Sequence, residues 1–358
     1  MNSNLLQQSV AIILKYQDPQ GGYIACPNFA QYTYYWLRDG AFTAYAMDVA
    51  GETDSATRFH SWVVNTLLLQ QEKIENCIEK SRKRLPITPA EYLHCRFNAD
   101  GSQASGDWAH HQLDGLAAWL WAFGEHCQQT ERDALLEDER KAVQLAVAYL
   151  QALWNSPCYD SWEEDADGMH TYTLAAIYCG LAQAARLLND ETLLATCQQI
   201  KAYILENLQK EGRFIKSSLR AGVDANLLGL LFPFQVIPQS DASFQRTLEV
   251  IENDLLSRAG GLHRYRQDVY YGGGEWVLLS AWLGIVYAHM GRCELAAQQL
   301  RWVEAQFTQE GFLLEQVNQH LLDESQYQPW VEKWGPIASP LLWSHAMHIL
   351  LAHALQEA

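Results

Sequence analysis

The sequence is short of positive charge. Against 42 Asp and Glu stand 25 Lys and Arg, a formal net charge of −17, and no basic cluster stands out except Lys80 to Arg84. Such a chain repels a phosphate backbone, so nucleic acid is not an expected partner. Met1 to Gln8 contain no basic leader-like stretch, and Val10 to Leu14 is too short an apolar run for a signal peptide; neither a leader nor a membrane span is expected. The eight cysteines form no Cys-x-x-Cys pair, and a chain of 358 residues can bury its core without staples, so they read as reduced thiols of a cytoplasmic protein. No His-Glu-x-x-His element is present, and no metal or other cofactor is expected. His345 and His348, three apart on an apolar helix, read as packed core histidines. No Pro/Gly/Ser-rich linker or shift of composition divides the chain, which argues for one domain over residues 1–358.

Sustained alternation of apolar and polar residues is also missing, whereas apolar residues recur at helical spacing almost throughout. The pattern predicts helices over 4–15, 40–51, 53–79, 112–126, 133–153, 169–188, 190–209, 224–231, 241–257, 274–290, 292–306 and 339–356. Twelve helices in pairs of about 60 residues suit an all-α toroid of six hairpins, an (α/α)6 barrel. Joints such as Gly51-Glu52-Thr53-Asp54, Asn189-Asp190 and Gly291-Arg292 are short, which makes those pairs tight antiparallel neighbours. The alternate joints are long and irregular.

In a ring of hairpins, every loop that enters an even-numbered helix opens on the same end of the barrel. Those loops hold, in order, Trp36-Leu37-Arg38-Asp39, Trp108 through Asp114-Gly115, Trp162-Glu163-Glu164, Val223 through Asn226, Arg264 through Trp276, and Glu315-Gln316 through Trp334-Gly335. Long loops in a compact domain are usually functional, and these share one face. Aromatics there are plentiful. Of 13 Trp and 17 Tyr, several Trp (36, 108, 162, 276) lie in polar loops where core packing does not account for all of them and a flat sugar face would.

An isolated loop glutamate is usually just solvated, but Glu163 and Glu315 lie on two loops of the same barrel end. Inverting hydrolysis of a glycosidic bond needs one protonated carboxyl to protonate the leaving oxygen and one carboxylate to activate water. The acid has to keep its proton near neutral pH through burial or a nearby negative charge, and Trp162 and Glu164 offer both; the base has to stay ionised. Arg38 and Asp39 supply sugar hydroxyls with donors and acceptors together, although a structural ion pair capping a helix is the alternative. Trp108 and Trp276 are stacking platforms or barrel wall. Asp268 contacts substrate or merely orients Arg264 or Tyr271, and Tyr270 and Tyr271 are ligands or wall.

At these same residues, over nearly its whole length, the chain resembles glycoside hydrolase family 15, the family of glucoamylases, glucodextranases and some trehalases. Tyr34-Tyr35-Trp36-Leu37-Arg38-Asp39 resembles the family's Trp-x-Arg-Asp element, and Trp108 through Gly115 its Trp-x-x-x-Gln-x-Asp-Gly stretch. Tyr159-Asp160-Ser161-Trp162-Glu163-Glu164 resembles the acid loop, which implies Glu163 as general acid and Glu164 as a sugar ligand. Arg264 through Tyr271 with Trp276 is similar to the family's Arg-Tyr-x-x-Asp-x-Tyr-Tyr substrate loop. Glu315-Gln316 resembles its Glu-Gln base, followed by Pro340 through Ser344. The resemblance extends sugar binding to Trp36, Arg38, Asp39, Trp108, Trp162, Arg264, Tyr271, Trp276 and Gln316.

Neither an N-terminal β-sandwich nor a starch-binding domain is expected, and Gly21-Gly22-Tyr23 with Phe29 through Tyr32 resembles the isomaltose-hydrolysing type within the family. The expectation is an inverting exo-α-glucosidase acting on short α-1,6 glucosides. Maltooligosaccharide hydrolysis and trehalose hydrolysis remain open. An α-glucoside phosphorylase is disfavoured because Glu315 would repel phosphate. A non-catalytic sugar sensor, like the glucoamylase-like part of phosphorylase kinase, is disfavoured by the presence of both glutamates. A terpene cyclase would show an Asp-rich magnesium motif, and none is found.

Overall fold

A computed structural model describes residues 3–357. Helix dominates: α1 (Ser3–Tyr16), α2 (Leu37–Val49), α3 (Thr53–Leu69), α4 (Gln71–Arg82), α5 (Asp114–Gln129), α6 (Glu137–Leu153), α7 (Thr171–Leu188), α8 (Leu193–Asn207), α9 (Ala242–Asp254), α10 (Val277–His289), α11 (Cys293–Glu304), α12 (Tyr327–Trp334) and α13 (Leu342–Glu357). Helices α2, α5 and α7, the 3₁₀ turn Ala225–Leu230, α10 and α13 pack each on the next, and α13 returns to α2. That closed inner ring, with α1, α3, α6, α8, α9 and α11 outside it, is the (α/α)6 barrel that the periodicity predicts.

Burial separates the two layers. Helix α10 is buried from Val277 through Ala288, as a helix apolar on all sides must be. Its partner α11 buries only Ala296, Gln299, Leu300 and Val303, one stripe at helical spacing. The short joints reverse the chain through left-handed residues, Gly51 (φ 83°), Asn189 (φ 54°) and Gly291 (φ 70°). Only a residue tolerant of positive φ ends a helix that abruptly.

Three local expectations need correction. The helix expected over 53–79 breaks at Gln70, whose buried side chain turns away to donate to the Gly101 carbonyl and accept from Gln103. The helix expected over 224–231 is the 3₁₀ turn Ala225–Leu230, tightened by the Asp224 carboxylate accepting from the Asn226 N–H. Helix α12 arises inside what the sequence shows only as a long loop, and no residue of it is fully buried. His345 and His348 are core residues, as expected; Ser9 Oγ lies 2.9 Å from Nδ1 of each. Among the described residues, no helix is long and apolar enough to cross a membrane.

Three two-residue antiparallel ladders stitch the irregular loops together: β1 (Tyr35–Trp36) with β2 (Arg96–Phe97), β3 (Gln209–Lys210) with β4 (Arg213–Phe214), and β5 (Glu275–Trp276) with β6 (Gln316–Val317). Such short strands leave no period for a sequence to show. Ladders β1–β2 and β5–β6 lead directly into inner helices α2 and α10, so they fix the loops at one end of the ring.

Candidate active site

At that end lies a cavity of about 310 Å³. Its wall includes ten of the residues expected from sequence: Trp36, Arg38, Asp39, Trp108, Trp162, Glu163, Glu164, Arg264, Trp276 and Glu315. The loops entering five different inner elements therefore meet in one place, as the ring geometry requires.

Glu163 sits on a tight turn in a left-handed conformation, φ 69°. Asp160 holds that turn: its carbonyl accepts from the Glu163 N–H at 3.0 Å, and its Oδ1 accepts from the Trp162 and Glu164 N–H groups, each at 2.9 Å. Strain of this kind persists only where the surroundings over-determine it. The carboxylate is fixed as firmly. Trp36 Nε1 donates to Oε1 at 2.7 Å, Gln112 Nε2 to the same oxygen at 3.1 Å, and Trp108 Nε1 to Oε2 at 2.6 Å. Trp36 and Trp108 thus act through their N–H edges, and Arg96 lies 3.8 Å over the Trp108 ring.

Glu315 is clamped by its backbone, its N–H donating to the Ala338 carbonyl and its carbonyl accepting from the Val277 N–H. The side chain is buried, and Oε2 takes no hydrogen bond from the protein. Burial pushes its pKa up to about 7, against the opposing pull of the Arg264 guanidinium, the Tyr32 hydroxyl and the Gln316 amide. The sequence expects this base to be ionised, and the upward shift works against that. It arises at Glu315 because a carboxylate desolvated on all sides outweighs one cation and two neutral dipoles.

Arg38 donates from Nη1 to Gln112 Oε1 at 2.9 Å and Asp114 Oδ2 at 3.1 Å, with Glu163 at 3.8 Å and Asp39 at 3.6 Å. Burial disfavours its charge, but Asp114, Asp39 and Glu163 together hold it firmly protonated. Asp39 is raised to about 6 by burial, with Arg38 opposing. Both line the cavity. Arg264 donates along one edge of its guanidinium to Asp268, from Nε at 2.7 Å and Nη2 at 2.5 Å, and Nη2 reaches Glu164 at 3.3 Å. Asp268 also accepts from the Tyr270 N–H and is itself buried, so it orients Arg264.

Two expected ligands do not reach the cavity wall. Tyr271 is fully buried and donates its hydroxyl to the Gly335 carbonyl; its φ of 51° turns the ring into the wall behind Trp330. Its neighbour Tyr270 faces the cavity instead, 2.9 Å from the Tyr32 hydroxyl. Gln316 is spent on the Gly274 N–H, bracing the β5–β6 ladder beside Glu315. Sequence reasoning missed Tyr32, Trp330, Lys216 and the structural use of Asp160. Tyr32 lay inside a quoted stretch, whereas Lys216, between Ile215 and Ser217, carries no motif at all.

The model of the family described as "Glycosyl hydrolases family 15" matches residues 1–328. The chain is 38% identical to the isomaltose glucohydrolase of Kribbella flavida over 98% of this chain and 92% of that one. A solved wild-type glycosidase superposes with a TM-score of 0.94 at 37% identity, covering 99% of this chain and 96% of that one. The glucoamylase of Saccharomycopsis fibuligera shares the fold at a TM-score of 0.73 and 17% identity, covering 99% of this chain and 95% of that one.

Proposed function

The chain belongs to family 15 of the glycosyl hydrolases, and from that premise we propose that it is an inverting exo-α-glucosidase. It releases β-glucose from the non-reducing end of short α-glucosides, with isomaltose and α-1,6 isomaltooligosaccharides preferred. The observation that carries this reading is the convergence of Glu163 and Glu315 on one aromatic-walled cavity beside the buried Arg38 and the half-buried Asp39. The likeness to the Kribbella flavida isomaltose glucohydrolase supports the α-1,6 preference. It works as a single barrel domain in the cytoplasm, and its scattered, unpaired thiols support that placement.

Arg38 and Asp39 hold the hydroxyls of the terminal glucose, while Trp162 and Trp276 present ring surface to it. Glu163 Oε1 accepts two N–H groups, from Trp36 and Gln112, and Oε2 only one, from Trp108, which leaves Oε2 the oxygen with room for the proton to be delivered. It passes to the glycosidic oxygen as the C1–O bond breaks, and the sugar ring carries the developing positive charge. Glu315, through its unpartnered Oε2, takes a proton from the water that attacks C1 from the other face. Inversion leaves the β-anomer. Glu164, held by Arg264 and Tyr265 Oη, offers an acceptor to the leaving sugar.

Glucose release from isomaltose, isomaltotriose, maltose, maltotriose and trehalose, with the anomer followed by NMR, tests this directly. β-Glucose from the α-1,6 sugars is expected, with at least about a 1,000-fold loss in Glu163→Gln and in Glu315→Gln. The roles separate on α-glucosyl fluoride, whose leaving group needs no protonation: Glu163→Gln retains hydrolysis and Glu315→Gln does not. Binding of these sugars without glucose release would leave a sensor in place of a hydrolase.

A further inference from the structure

Behind the turn that bears Glu163 lies a lysine with a side chain only 7% exposed. The Lys216 ammonium is 3.0 Å from Asp160 Oδ2, 3.5 Å from both Asp165 and Asp224, and 3.9 Å from Glu164. It also lies 4.0 Å over the ring of Tyr265, whose hydroxyl donates to Glu164. Lys216 does not line the cavity. Its backbone is tied down separately, its N–H donating to the Gly222 carbonyl and its carbonyl accepting from the Thr171 N–H. The ammonium is thus delivered by the segment after β4, which is bonded to the start of α7, and not by the loop that it contacts.

The carboxylates that it gathers shape the catalytic loop. Asp160 Oδ1 makes the turn that sets Glu163 in its left-handed conformation, and Asp160 Oδ2 faces the Lys216 ammonium. Asp224 accepts the Trp162 indole N–H through both oxygens, 2.9 Å and 3.1 Å. Asp160 and Asp224 are wholly buried. Two buried carboxylates so close together repel each other unless a cation lies between them. The other nearby cations are committed elsewhere, Arg264 to Asp268 and Glu164, and Arg220 to Asp165 and Asp167.

We propose that Lys216 is a positioning residue of the hydrolase: its ammonium holds Asp160 and Asp224 together, and through them fixes the turn of Glu163 and the indole of Trp162. The inference rests on the hydrolase reading above and adds to it a residue that never meets substrate. An acid displaced by about 1 Å loses on the order of 100-fold in rate. Bound glucose hydroxyls still meet Arg38 and Asp39, so the loss falls mainly on kcat, with a smaller rise in KM as the Trp162 ring loosens.

The test compares full-length wild type, Lys216→Met and Lys216→Arg on isomaltose, with circular dichroism and melting temperature measured beside the kinetics. The Met variant is expected to fold, to lose about 100-fold in kcat, and to keep KM within about threefold. The Arg variant, which restores the charge, regains at least about tenfold of that loss. Should the Met variant not fold, Lys216→Gln, polar but uncharged, carries the same comparison. A Met or Gln variant with kcat near wild type overturns the proposal, as does a KM that rises in step with the loss. An Arg variant no better than Met also overturns it, since charge would then not be the agent. A wild type that releases glucose from none of the sugars overturns the hydrolase reading instead, so the two failures are distinct.

Discussion

At the scale of single residues, the two glutamates are held in opposite ways. Glu163 is surrounded by N–H donors, while Glu315 is buried with one oxygen unpartnered, which raises its pKa to about 7. A base acts only when ionised, so kcat/KM rises with pH as Glu315 of the free enzyme gives up its proton. The acidic limb of a kcat/KM profile on isomaltose is therefore expected well above the ordinary glutamate value of about 4.3, toward 7. A limb near 4 would show that this carboxylate is solvated in the working enzyme. Much of the site was readable from sequence because Trp36, Arg38, Asp39, Glu163 and Glu315 fall at the entrances of inner helices, where periodicity alone groups them. The exchange of Tyr271 for Tyr270 was not readable: it turns on one left-handed backbone at Tyr271, which no side-chain pattern reveals. Lys216 was invisible for a related reason, since its partners are brought together by the barrel and not by spacing in the chain.

At the scale of elements, the inner ring depends on close approaches that a Cβ would spoil. Where α5 meets α7, a Cβ on Gly180 would stand 2.6 Å from the Ala117 carbonyl oxygen, a backbone atom that cannot move alone. Helix propensity favours Ala over Gly by about 0.8–1 kcal/mol, but overpacking a tight contact costs about 1–3 kcal/mol. The clash wins. Gly180→Ala is expected to lower the urea midpoint, a net loss of up to about 2 kcal/mol, whereas Gly222→Ala, with nothing within 4 Å of its Cβ, leaves the midpoint unchanged. Equal midpoints would mean that α5 and α7 separate at no cost. The helical ring itself was legible because long, strongly periodic segments outlast errors at their ends. Gln70, the 3₁₀ turn at Ala225–Leu230 and α12 were not, because each is decided by a side-chain hydrogen bond or by aromatic packing across distant loops.

At the scale of the whole molecule, the response to acid is a contest between two sets of buried groups. Burial holds His94 and His345 down at about 3, His110 and His111 at about 4, and His60 well below its usual range. Burial raises Asp39 and Asp224 to about 6 and Glu315 to about 7, and lifts Asp48 and Glu125 as well. A histidine kept neutral in the fold favours the native state above its unfolded pKa of about 6.5, and that stability drains away as pH falls from there toward its folded value. A raised carboxyl works the other way, since the native state already holds the proton that the unfolded chain takes up only near pH 4. Between pH 6.5 and 4 the lowered histidines lose stability while the raised carboxyls gain it, and easing the self-repulsion of a −17 chain adds to the gain. The histidine shifts are the larger, so the urea midpoint is expected to be lower at pH 5 than at pH 7.5. A midpoint that rises at pH 5 would assign the balance to the carboxyls and the net charge. His345→Phe and His111→Phe separate the cases, because a phenylalanine cannot take up a proton on unfolding, and either replacement should flatten the pH dependence without touching the cavity.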